Sequence, residues 1–204
     1  MTPQKITVTC LFAHAILYSC APPTLCYDMN MSEHFAAMLR EGGHANSLGR
    51  VNEVIEITLG DASRLDELYA CLFDEDAWVR MRAADALEKI CRQQPDWLLP
   101  YIDKFQEELS ASTQPSIQWH LAQIYEQVSL THKQKQFAQK WLAGLLSTKD
   151  VDWIVAANVM ATLVKFVKDG SFAADDLITL LKIQQQHKSN AVIKRATKYL
   201  AELS

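Results

Sequence analysis

Most of the short signatures that carry reaction chemistry are missing from this chain. There is no glycine-rich loop to cradle a phosphate, no HExxH and no paired CxxC, so the usual spacings for metal ligands are excluded. No Gly-x-Ser-x-Gly elbow or Cys/His nucleophile signature occurs. The six histidines are scattered, and His120 alone falls inside the second helix of the repeat described below. Carboxylate pairs such as Asp74/Asp76 and Asp175/Asp176 sit at expected turns and helix starts, where the helix dipole favours negative charge, so capping accounts for them. The apolar run from Ile6 to Tyr18 is too short for a convincing membrane span. After residue 31 no alternating apolar-polar run demands a strand. Three of the five cysteines (Cys10, Cys20, Cys26) lie in the first thirty residues. The other two, Cys71 and Cys91, have apolar neighbours in Leu72 and Ile90 and read as small buried hydrophobes rather than a disulfide framework. Together these gaps predict a chain that is not an enzyme and uses no cofactor and no metal.

What is present is a repeat. Taking Val79 as an anchor, positions four, five, eight and eleven later are Ala83, Ala84, Leu87 and Ile90. From Ile117 the same offsets give Leu121, Ala122, Tyr125 and Val128; from Val155, Val159, Met160, Leu163 and Phe166; from Val192, Ala196, Thr197, Leu200 and Leu203. These offsets fall on one stripe of an α-helix. Thr197 is the one clearly polar residue of the set. The preceding helices follow the same frame: Leu65, Leu68 and Leu72, then Ile102, Phe105 and Leu109, then Phe137, Trp141 and Leu145, then Leu177 and Leu181 in looser register. Met81 and Met160 read as packing residues. A short helical hairpin cannot bury its apolar stripe alone, and stacking on its neighbours removes that stripe from water. The joints agree. Pro95 and Pro115 sit at helix starts, Asp150 or Asp152 can cap the helix from Trp153, Asp169-Gly170-Ser171 is a stop, and Ser189-Asn190 opens the last helix.

The segment Asp74-Glu75-Asp76-x-x-Val79-Arg80-x-x-Ala83-Ala84-x-Ala86-Leu87 resembles the HEAT-repeat pattern. Arg80 becomes Gln118, Ala156 and Ile193 in later copies, so the motif is close only over 64–93, while the spacing holds over 47–204. The resemblance implies an all-α fold, an α/α superhelix of the armadillo type with about four helical hairpins and an N-terminal helical cap. It implies binding rather than catalysis. It also implies that Arg80 pairs with Asp74 or Asp76, and that second helices line the concave surface.

The expected domain spans 31–204, with 31–62 as cap helices. Residues 1–30 stand outside the repeat. They read either as an upstream extension, with translation starting at Met31 and Ser32 able to cap a helix whose face holds Phe35, Met38 and Leu39, or as a signal or anchor. The first reading places the protein in the cytoplasm; the second exports it. Charge is divided. Residues 31–112 hold 16 acids and 8 bases, and residues 133–204 hold 6 acids and 11 bases.

Positions three, six and ten after each anchor face away from the core stripe. They are Arg82, Asp85 and Lys89; His120, Gln123 and Gln127; Asn158, Ala161 and Lys165; Arg195, Lys198 and Glu202. This row is the candidate partner-binding surface. Trp78, Trp119 and Trp153, near the starts of successive second helices, either fill inter-repeat joints or, if exposed, are candidate hot spots. The first functional expectation is a scaffold that binds another protein. The second is a nucleic-acid binder using the basic back half, which needs its lysines and arginines on one strip. The third, implied by the resemblance alone, is a base-excision enzyme with Asp85 as its acid, although Asp85 lies in the acidic half.

Overall fold

Helix signals and stop signals alternate along the chain, and the chain folds as they dictate. The computed structural model describes residues 33–42 and 47–203; the expectations for residues 1–30, Met31 and Ser32 lie outside the described residues. The helices are α1 (Phe35–Arg40), α2 (Val51–Gly60), α3 (Leu65–Ala70), α4 (Ala77–Gln93), α5 (Ile102–Lys104), α6 (Pro115–Gln127), α7 (His132–Leu146), α8 (Trp153–Lys168), α9 (Ala174–Gln184) and α10 (Asn190–Leu203). No strand occurs among the described residues.

Local chemistry sets these boundaries. The Asp76 carboxylate accepts from the Trp78 N–H at 2.8 Å and opens α4; that of Asp152 accepts from Ile154 at 2.8 Å and opens α8. Thr131 and Gln134 form a reciprocal capping box at α7. Pro115 is the first residue of α6, where its missing N–H matters least. Gly170 ends α8 with φ of 75°, a left-handed conformation that glycine adopts without steric penalty. Pro100 removes a backbone donor inside the segment Pro95–Tyr101, which therefore stays a 3₁₀ helix. It passes through the single turn of α5 into a π turn at Phe105–Leu109.

Helices α3 and α4, the Pro95–Leu109 segment and α6, α7 and α8, and α9 and α10 form four hairpins, preceded by α1 and α2. The second helices touch in succession, α2 on α4, α4 on α6, α6 on α8 and α8 on α10. The result is an all-α solenoid whose core runs between two layers. Nearly every anchor-frame residue is buried, from Val79 and Leu87 through Leu121 and Tyr125 to Val155, Leu163, Val192 and Ala196. Burying each large aliphatic or aromatic side chain stabilises the fold by about 1.5–3 kcal/mol before entropy is counted.

Three expectations need correction. Thr197 is exposed, and its hydroxyl accepts from Gln185 at 3.1 Å; α10 turns only its Val192 and Ala196 side fully inward. On α7 the buried row is Ala138, Leu142 and Leu146, one residue later than the expected Phe137, Trp141 and Leu145, of which Phe137 is exposed and the others half-buried. Two adjacent apolar rows compete on that helix, and the small Ala138 allows the closer approach. Arg80 does not pair with a carboxylate. It donates to the carbonyls of Asp74 at 2.6 Å and Glu75 at 2.9 Å and to Gln114 Oε1 at 2.8 Å. Both carboxylates are already engaged, Asp74 by Arg40 at 2.6 Å and Asp76 by the start of α4.

Candidate partner-binding surface

The polar row on the second helices begins with residues that the fold itself uses. Arg82 on α4 is buried. Its guanidinium donates to Leu39 O at 2.6 Å, to Ser47 O at 2.9 Å and to Arg40 O at 3.4 Å, tying the end of α1 and the approach to α2 onto α4. Gly42 lies so close that an added Cβ would clash with this guanidinium. Asp85 is buried too and forms an ion pair with Lys89 at 2.7 Å, one turn on. His120 on α6 is 2% exposed and its Nδ1 has no hydrogen-bond partner among the described residues. Burial, reinforced by the charges of Lys89 and Arg92, pushes its pKa down to about 3, so the imidazole is neutral. Its ring lies against Trp119, with centroids 3.5 Å apart.

Further along, the row becomes a ladder. Gln127 on α6 donates to the buried Glu88 carboxylate of α4 at 2.6 Å. Gln123 of α6 donates to Asn158 Oδ1 of α8 at 3.1 Å, and Asn158 in turn donates to Ile154 O. Thr162 of α8 reaches Ala122 O at 3.0 Å, and Lys165 of α8 pairs with Glu126 of α6 at 2.8 Å. Arg195 of α10 donates to Ala157 O at 3.1 Å. Each rung joins neighbouring second helices, so the expected residues from Gln123 to Arg195 are brought together as one connected strip. Lys198 stays at the surface beside Glu202, at 3.7 Å.

Four exposed or half-buried cations of the strip are matched by acids, Lys89 by Asp85, Arg92 by Glu88 at 2.6 Å, Lys165 by Glu126 and Lys198 by Glu202, whereas the exposed Arg195 rests on a carbonyl. Glu88 holds the Arg92 pKa above its ordinary value chiefly by their hydrogen bond. The sequence reading missed Glu88, Glu126 and Thr162. A signal existed for the two glutamates, since both stand nine residues after their anchors, Val79 and Ile117. Trp78 and Trp153 are exposed, whereas Trp119 is half-buried.

Among the described residues no group of three His, Cys, Asp or Glu side chains is placed to hold a metal ion. Burial pushes the Cys71 and Cys91 thiols up to about 12, so neither is a ready nucleophile. No helix among the described residues is long and apolar enough to cross a membrane.

No curated protein and no solved structure is significantly similar to the chain. A family model described as a HEAT repeat domain matches residues 36–150, more than half of the sequence. With helical hairpins stacked through a shared core, and second helices laddered side by side, the chain belongs to the HEAT-repeat family.

Proposed function

We propose that residues 31–204, with 31–62 as the capping helices, act as a non-enzymatic scaffold. Its partner is another protein, bound across the layer formed by α4, α6, α8 and α10, the concave face by resemblance to other helical solenoids. The strip carries this reading through its charge pattern. Four of its cations already have a carboxylate within 4 Å, so it offers alternating charges and amides rather than a run of free positive groups. Mixed charge of this kind suits a folded protein surface with its own alternating polarity. A nucleic-acid backbone gains affinity by replacing counterions with unpaired lysine and arginine, and paired cations supply little of that. The base-excision reading fares worse, because Asp85 is matched by Lys89.

The test is capture of partners by the tagged full chain from its own cell lysate, with and without nuclease. It is repeated with the Lys165→Glu/Arg195→Glu variant. A stoichiometric protein that survives nuclease and is lost with the variant supports the scaffold. Loss of every partner on nuclease treatment moves the reading to nucleic acid.

A further inference from the structure

The outward side of α7 has features that the fold does not require. Ala138, Leu142 and Leu146 fill the core, while a second apolar row, Phe137, Trp141 and Leu145, lies beside it on the helix, with Trp141 and Leu145 packed at the core's edge and Phe137 39% exposed. That row, Lys140 and Gly144 line an open hollow of about 390 Å³. Its floor is fixed. The Trp141 indole N–H donates to Ser110 O at 2.9 Å, and its ring meets Tyr125 edge-on at 5.9 Å. A tryptophan held in advance loses little freedom when a ligand covers it.

Gly144 is the second observation. It stands inside the last turn of α7, and its backbone does not need the left-handed region. A Cβ added there would meet nothing within 4 Å among the described residues. Glycine in a helix is less favourable than alanine by up to about 1 kcal/mol. Among the described residues neither backbone nor packing requires glycine here, and its bare surface leaves room for close approach from outside.

Charge narrows the occupant. α7 carries Lys133, Lys135 and Lys140 and no acidic residue. Lys135 is held by Asp169 at 3.0 Å, but Lys133 and Lys140 have no acidic partner among the described residues. They stand four before and three after Phe137, flanking the apolar row.

We propose that this face of α7 docks an acidic amphipathic helix of a partner protein. Its apolar edge fills the hollow over Gly144 between Phe137 and Trp141, and its carboxylates meet Lys133 and Lys140. A second copy offering the same face would set lysine against lysine, which disfavours self-pairing.

The test is selection of binders to the full chain from a displayed library of amphipathic helices about 18 residues long, about 27 Å. Their polar positions vary among Glu, Lys and Ser. Glutamate-rich binders are expected. Their affinity falls roughly tenfold or more for Phe137→Ala, for Gly144→Leu and for the Lys133→Glu/Lys140→Glu variant. It is unchanged for Glu56→Lys, an exposed position on α2 away from α7. Circular dichroism melts confirm that each variant folds. Four outcomes overturn the proposal: no binders, lysine-rich binders, binders indifferent to the α7 variants, or a dimer in sedimentation that Phe137→Ala dissolves. Loss of binding to phosphatidylserine vesicles in the same variants, without helix binding, reassigns the face to membranes.

Discussion

His120 makes the protein acid-sensitive in a window that can be calculated. The imidazole is 2% exposed and lines a small cavity with Ala84, Leu87, Leu121 and Ile124, with a pKa pushed from 6.5 down to about 3 by burial first and by Lys89 and Arg92 second. A histidine depressed in this way takes up a proton in the unfolded chain before it does so in the folded one. It therefore has no effect on stability well above pH 6.5, destabilises progressively as pH falls below that, and reaches its full effect below about pH 3. At about pH 5 the unfolded histidine is almost wholly protonated and the folded one is not, which amounts to about 2 kcal/mol. The figure is insensitive to the folded value provided that it lies well below 5. The assay is urea unfolding by far-ultraviolet circular dichroism at about pH 7.5 and about pH 5, for the natural chain and His120→Leu. Leucine suits the apolar neighbours. The natural chain should lose about 2 kcal/mol more than the variant between the two conditions. Parallel losses in both would refute the reasoning, because His120 would then be taking up its proton inside the fold.

Leu87→Asp places a charge at a 1% exposed core position, and loss of the cooperative thermal transition is expected in circular dichroism. An undiminished melt would mean that the α4 register is wrong. Arg82→Met leaves the carbonyls of Leu39 and Ser47 without their donor and should cost about 3 kcal/mol. Hydrogen exchange should then rise first in α1, whose end Arg82 holds. The register of α7 is tested by a pair of variants: Leu142→Ala should cost about 3 kcal/mol, and Phe137→Ala less than about 1 kcal/mol. Equal costs would place Phe137 in the core.

The hairpin frame was legible because burial and periodicity agree. Val79, Ile117 and Val155 are each nearly inaccessible, and their partners at offsets four and eight lie on the same inward side. α7 misled for a physical reason. Phe137 and Ala138 are neighbours on the helix, both start apolar rows of three, and periodicity cannot tell which row faces inward. The candidate surface was legible as a row but not as a set of free groups. Offsets of three, six and ten located Gln123, Asn158 and Arg195 on adjoining helices. They gave no warning that Arg82 would turn inward to backbone carbonyls over forty residues away in sequence, because no local pattern encodes that partner. Arg80 shows the same limit. Its expected acids were present, yet the turn carbonyls were nearer and the acids already engaged.

The ladder between second helices sets the mechanical character of the stack. A partner that bends the solenoid must stretch individual rungs, and these differ in strength. Between α4 and α6 the link is the Gln127 amide on the buried Glu88 carboxylate, which Arg92 of α4 also holds, whereas between α8 and α10 it is an exposed arginine on a carbonyl. Charged, buried contacts resist extension more than exposed single ones. The joints between second helices should therefore differ in stiffness, the α4–α6 joint resisting a change of curvature more than the α8–α10 joint.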